Sequence, residues 1–244
     1  MSKVISWAEL SPDTQTEFLM RGLVQLENWF IDSTVSPEQK NPYTDEAVDK
    51  FLNIVRNKQV GPSYGITDLW MYELLDRHDI KGKECAIMGS ISPWYESIAL
   101  HYGAIPTTFE YNVFKPESSR LKMEYIKDYF ESSNPKQYDV AFSISSFEHD
   151  GLGRYGDPID PNGDFRAMNE MKKLLKKDGL LFIAVPIGVD KVVWNAHRVY
   201  GKARLPYLFD NWEIIDQVGF MESHMDVNYG ESATHQPVFV LKNV

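Results

Sequence analysis

Residues 138–164, YDVAFSISSFEHDGLGRYGDPIDPNGD, decide how this chain is read. Tyr138 to Ile144 is a short apolar run with the length and composition of a buried strand. Ser145, Ser146, Glu148, His149 and Asp150 follow at once, and Gly151, Gly153, Gly156, Pro158, Pro161 and Gly163 then forbid any regular element. A polar loop at the carboxyl end of a buried strand is where open α/β sheets hold their ligands. The bland alternative is a surface loop, although long irregular segments in compact domains are commonly functional.

Upstream of that stretch, Glu84 to Met88 is the first strand of the core, followed by Gly89-Ser90-Ile91-Ser92-Pro93-Trp94 and a helix from Trp94 to His101. Strand, small-residue turn and helix open a nucleotide-type βαβ unit, because such a turn lets a ligand approach the amides at a helix start. One glycine is far less specific than the G-x-G-x-x-G pattern. The next strand, Gly103 to Glu110, ends in an acid about twenty residues beyond Gly89, the spacing at which a carboxylate can accept from ribose hydroxyls. A solvated strand end would account for Glu110 equally simply.

Downstream, Phe165, Met168, Met171, Leu174 and Leu175 form a helical stripe that ends in Lys176-Lys177 and Gly179, and the methionines read as core packing. Leu180 to Pro186, LLFIAVP, is apolar throughout, as in strands covered on both faces. A second polar loop from Gly188 to Gly201 follows, then a short helix at Leu205 to Phe209 and late strands at Trp212 to Val218 and Pro237 to Leu241. Residues 118–131 fit either a helix or a short third strand over Leu121 to Ile126.

The first sixty residues read as a helical extension, with 61–244 as the α/β domain behind the break Gly61-Pro62-Ser63-Tyr64-Gly65. Ser11-Pro12-Asp13 caps a predicted amphipathic helix over 11–31 with Phe18, Leu19, Leu23, Leu26 and Phe30 on one face. A second helix follows Thr44, and Thr67 to His78 is a third, with Leu69, Trp70, Leu74 and Leu75 inward. The extension either covers the core or offers a homodimer surface.

The chain has 244 residues, 43% hydrophobic and 25% charged, an ordinary globular composition. A formal charge of −10 makes the average surface repel nucleic acid and anionic membrane. Cys85, the only cysteine, rules out an internal disulfide and a cysteine-based zinc site. Its apolar neighbours make it a buried small hydrophobe. Neither a signal-peptide core nor a membrane-length apolar run is present, so a cytoplasmic location and no membrane insertion are the expectation.

Three patterns in this order resemble the class I S-adenosylmethionine-dependent methyltransferases: the Gly89 turn, Glu110 at the end of the second strand, and Ser145-Ser146-Phe147-Glu148-His149. LLKKDGLLFIAVP resembles their final helix and fifth strand. More narrowly, SSFEHDGLGRYGDP, NAHRVYG and RLP resemble a family of unknown function, from nematodes and bacteria, with a methyltransferase-like core. The broad resemblance covers roughly residues 64–244. It implies a Rossmann-like three-layer sandwich with a mostly parallel central sheet, and S-adenosylmethionine as cofactor.

In that resemblance Gly89, Ser90, Trp94 and Glu96 border the methionine end of the cofactor. Glu110 holds the ribose, Tyr111 and Asn112 flank the adenine, and Ser145 and Ser146 lie under the sulfonium. Glu148, His149 and Asp150 face the acceptor. The chain departs from the pattern at Ser92-Pro93-Trp94, where Pro93 removes an amide donor and Trp94 adds bulk.

The expected activity is methyl transfer to a hydroxyl of a small molecule or glycan, with His149 as the first choice of general base because a neighbouring carboxylate can raise its basicity. His197 and Arg198 belong on the same sheet edge, and Arg154 and Arg198 could each grip a planar anion or else tie one loop to the other. Tyr155, Trp194 and Tyr200 could stack on a sugar face. A rival reading makes His149, Asp150, Asp157, Asp164 and His197 ligands of a divalent metal in a hydrolase or metal-assisted transferase. In a third, the fold persists as a binding protein without the reaction.

Overall fold

The computed structural model describes residues 5–31, 43–111, 115–230 and 234–244. Its elements run α1 (Pro12–Phe18), β1 (Gln25–Asn28), α2 (Asp45–Arg56), α3 (Ile66–Arg77), β2 (Glu84–Met88), α4 (Trp94–His101), β3 (Ile105–Glu110), β4 (Lys122–Tyr125) and α5 (Ile126–Glu131). They continue with β5 (Tyr138–Ile144), α6 (Gly163–Leu174), β6 (Leu175–Ala184), β7 (Lys191–Trp194), β8 (His197–Val199), α7 (Leu205–Leu208), β9 (Trp212–Val218) and β10 (Val238–Asn243).

Seven strands form the main sheet in the order β4-β3-β2-β5-β6-β10-β9. Pairing is parallel from β4 to β6, while β10 runs antiparallel to both β6 and β9. This is the expected Rossmann-like sandwich with a mostly parallel central sheet. Strand order reverses between β2 and β5, so the loops after Met88 and Ile144 leave the sheet at its topological switch point, the crevice where such sheets bind ligands.

Two-residue alternation makes the layers. Cys85, Ile87, Val140, Phe142, Phe182, Ala184, Val238 and Val240 face one core with Phe51, Val55, Met71, Leu74 and Ile98. Ala86, Met88, Ala141, Leu181, Ile183, Phe239 and Leu241 face the other with Met168, Met171, Leu174, Leu205 and Leu208. Apolar side chains on both faces are what let these strands sit in the middle of a sheet.

Three sequence expectations are corrected. The helix predicted over 11–31 stops at Phe18, because Met20, Arg21 and Gly22 have φ of 46°, 57° and 96°, and the chain re-emerges as strand β1. Leu23 and Phe30, expected inward, are 68% and 52% exposed. Their three-to-four spacing mimicked a helix across a left-handed break. The loop expected from Gly188 to Gly201 contains β7 and β8, which join β1 in a separate three-stranded sheet. The ambiguous 118–131 segment divides into strand β4 and helix α5. In α3, Leu74 and Leu75 are buried as expected but Leu69 is 41% exposed, and Met71 and Tyr72 take the inner face.

Candidate active site at the sheet switch point

Gly89 closes β2 with φ +62°, and a Cβ there would come within 2.7 Å of Ser146 Oγ. The turn after β2 and the loop after β5 therefore touch at the one residue without a side chain. Ser90 N–H donates to Glu110 Oε1 at 2.6 Å, so the acid at the end of β3 braces the turn with one carboxylate oxygen. Burial raises the Glu110 carboxyl above its ordinary value.

Glu96 is fully buried beneath the turn. It accepts from Thr108 Oγ1 at 2.6 Å and lies 3.1 Å from Ser90 Oγ, while Tyr43 OH donates to the Ser90 carbonyl at 2.7 Å. Burial pushes Glu96 up to about 7. Its side chain is a girder for the turn and not part of an open surface. Trp94, expected at the cofactor, turns its indole into the helical layer: it is 2% exposed, packs on Phe51, and donates to Asp68 Oδ1 at 3.0 Å. A Cβ on Gly61 would strike that indole at 2.3 Å, so the bulk of Trp94 is accommodated by a glycine elsewhere in the chain. Tyr111 is 41% exposed beside Glu110, and Asn112 lies outside the described residues.

After β5, Ser145 adopts φ +53° and places its hydroxyl 2.6 Å from Glu148 Oε1. Gln236 Nε2 donates to the same hydroxyl at 3.2 Å. Glu148 is wholly buried, burial pushes it up to about 7, and its Oε2 has no hydrogen-bond partner among the described residues. His149 Nδ1 lies 2.6 Å from the Ala196 carbonyl, which assigns it the proton and leaves Nε2 as an acceptor 3.8 Å from Glu148 Oε1. The carboxylate neighbour does not raise this histidine as the sequence suggested: burial dominates and holds it down at about 3. Burial likewise holds His197 at about 4. The two imidazole centroids are 6.4 Å apart, so the loops following β5 and β6 do stand side by side.

Other candidates separate. Arg198 is fully buried and spends its guanidinium on the carbonyls of Asp150 (2.5 Å) and Asp160 (3.2 Å). It ties the loops together and cannot face an acceptor. Asp150 is raised well above the carboxylate range, first by burial and then by the charge of Asp157. Arg154 donates to the Ala196 carbonyl and lies over the Tyr155 ring. Among the aromatic candidates, Trp194 and Tyr200 are 1% and 0% exposed, which removes them from any sugar face, whereas Tyr155 is 39% exposed.

The metal set does not assemble. Among the described residues no group of three or more His, Cys, Asp and Glu side chains is arranged to hold an ion. Asp157 accepts the amides of Gly151 and Gly153, and Asp164 is held by Arg204 and Tyr200. That last pairing was missed from sequence, which offers Arg204 only within the RLP motif and Asp164 only as a candidate ligand until the fold encloses both. Gln236 and Tyr64, which both reach Ser145, gave no local signal either.

The family model described as "Caenorhabditis protein of unknown function, DUF268" matches residues 82–240. The chain belongs to this family. No curated protein matches it in sequence. Several solved structures are similar to the DUF268 chain. The N-methyltransferase NodS from Bradyrhizobium japonicum is 14% identical, over 71% of this chain and 94% of its own, with a TM-score of 0.45. The 1,6-didemethyltoxoflavin-N1-methyltransferase from Burkholderia thailandensis is 16% identical, over 88% and 98%, with a TM-score of 0.49. A candidate S-adenosylmethionine-dependent methyltransferase from Streptococcus mutans is 13% identical with a TM-score of 0.46; 75% of this chain is covered, and the chain spans about half the other's length, 50%. A further candidate methyltransferase, crystallised with S-adenosylhomocysteine, is spanned to a similar extent, 51%. No helix among the described residues is long and apolar enough to cross a membrane.

Proposed function

We propose that this protein binds S-adenosylmethionine at the β2/β5 switch point and transfers its methyl group to a hydroxyl of a small molecule or glycan, with residues 61–244 as the transferase unit and 1–60 as its extension. The observation that carries the reading is the contact between Gly89 and Ser146. A left-handed glycine with no room for a Cβ brings the turn after β2 and the loop after β5 together where the strand order reverses.

The residues present fit the cofactor. The Gly89–Ser90 turn would receive its methionine end, and Glu110, already held by the backbone N–H groups of Ser90 and Tyr111, would accept in addition from the ribose. Ser145 and Ser146 would lie nearest the sulfonium. Glu96 and Trp94 act from behind, holding the turn and the start of α4. When bound, the cofactor supplies an electrophilic methyl group, and the protein's share is to orient the acceptor and manage its proton.

His149 Nε2 is the free acceptor for that proton. An imidazole held at about 3 is a poor base alone, and charging it becomes affordable only beside an ionised Glu148. Glu148 is therefore a positioning and electrostatic residue, and His149 the catalytic one. Arg198 and Asp150 fix the loop that carries both.

Calorimetry with S-adenosylmethionine and S-adenosylhomocysteine tests the reading. Saturable binding, weakened about tenfold or more by Glu110→Ala through loss of a charge-assisted hydrogen bond, is expected. Absence of binding by the full chain would end the transferase assignment.

A further inference from the structure

The small sheet of β1, β7 and β8 encloses an ion pair beside the proposed active site. Lys191 is 6% exposed and donates to Glu27 Oε2 at 2.5 Å and Asn228 Oδ1 at 3.0 Å, which occupies two of its three N–H groups. Glu27 Oε1 is shut from solvent with no hydrogen-bond partner among the described residues. A carboxylate oxygen so placed has lost its water without gaining a donor, so a donor arriving from outside is favoured.

Glu27, Lys191 and His197 line one cleft. The space inside it open to a water centre is about 10 Å³, room for a single water or a hydroxyl. An alcohol matches that space in kind as well as size: its lone pairs accept from the spare ammonium N–H, and its O–H donates to Glu27 Oε1. An anion meets Glu27 and a cation meets Lys191, so a neutral group is selected. Two residues beyond Glu27, Trp29 is 44% exposed and stands edge-on to the cleft residue His197 with centroids 6.4 Å apart, and His197 in turn adjoins His149 at the same separation. An exposed indole next to a hydroxyl-sized cleft suits a ring that is polar at its edge and C–H-bearing on its face.

We propose that the Glu27–Lys191 cleft with Trp29 recognises a neutral polyhydroxylated ring of the sugar class, one hydroxyl entering between Lys191 Nζ and Glu27 Oε1 while the ring rests on the indole. That this ligand is the methyl acceptor rests on the transferase reading; that it binds does not.

Saturation-transfer NMR on the full chain tests the site with methyl glycosides of common hexoses, glucose 6-phosphate and glucosamine. Transfer to at least one neutral glycoside is expected, several-fold above both charged probes, and reduced at least fivefold in Trp29→Ala and Glu27→Gln. Lys191→Met should behave alike, and should it fail to fold the other two variants carry the comparison. No transfer to any glycoside, stronger transfer to a charged probe, or equal signals in wild type and variants would overturn the proposal and leave the cleft to a water molecule. S-adenosylmethionine calorimetry on the same samples separates the two ideas. Cofactor binding without glycoside signals sinks the sugar site alone, and the converse sinks methyl transfer alone.

Discussion

Glu148 Oε1 receives the Ser145 hydroxyl at 2.6 Å while Oε2 is enclosed without a partner, and burial lifts the carboxyl to about 7. If ionised Glu148 makes protonation of His149 affordable, methyl transfer should rise with pH through about 7 and then level. Glu148→Gln should remove that rise and slow turnover about tenfold to a hundredfold, read from the pH profile of single turnovers. A second residue-scale prediction concerns Asp164. Burial alone would raise its carboxyl, but the guanidinium charges of Arg198 and Arg204, with hydrogen bonds from Arg204 (2.6 and 2.9 Å) and Tyr200 (2.9 Å), hold it below the ordinary value. A depressed carboxyl stabilises the fold fully above its unfolded value near 4, and that stability is lost as pH falls through the lower folded value. Asp164→Asn should cost about 3–5 kcal/mol at pH 7 in urea denaturation, because it leaves buried guanidinium charge unpaired. The difference from wild type should shrink in acid. Nothing in the sequence pairs Asp164 with Arg204, forty positions away.

At the scale of elements, the β2–α4 turn is held by partners from four places: Glu110 on β3, Glu96 on α4, Ser146 after β5 and Tyr43 ahead of α2. Its weakest point to substitution is Gly89. Gly89→Ala must carry a side chain at φ +62° and push Ser146 Oγ away from 2.7 Å. The conformational part costs about 1 kcal/mol. We expect a melting temperature lowered by about 2–4 °C from that part, with a further drop from the clash. Adding Ser146→Gly should relieve the clash and leave the conformational loss, as thermal melts of the two variants would show. The strands themselves were legible in the sequence, since β2, β5 and the second half of β6 are apolar on both faces, and β2 and β5 are followed at once by Gly89 and Ser145. The small sheet was not. Nothing in the sequence joins Lys191 to Glu27 until β1 and β7 pair in register, Glu27 opposite Val193 and Gln25 opposite Lys191.

For the whole molecule, the N-terminal segment is joined to the β6–β8 region by packing as well as by strand pairing. Phe18 is wholly buried with Val24, Leu152, Val192 and Trp194, its ring 5.1 Å from the Trp194 centroid and under the guanidinium of Arg198. Phe18→Ala should therefore cost about 3–5 kcal/mol. In a chain of this size that is about 6–20 °C of melting temperature, and near-ultraviolet circular dichroism should report the loss through Trp194. A melt unchanged by the substitution would mean that residues 5–31 contribute nothing to the stability of the rest. The chain's own order of apolar runs, turns and stripes was enough to determine the α/β class, the main-sheet strands β2, β3, β5, β6, β9 and β10, and the two loops that follow Ile144 and Pro186, because these follow from period-two burial and from glycine and proline, which act locally. Which polar residues serve the site and which serve the frame was decided only in three dimensions. Burial turned Trp94, Glu96 and Arg198 inward and lowered His149, and it brought Glu27 to Lys191 from 164 positions away. Desolvation depends on what surrounds a group from every direction, and neighbours along the chain supply only a small part of that.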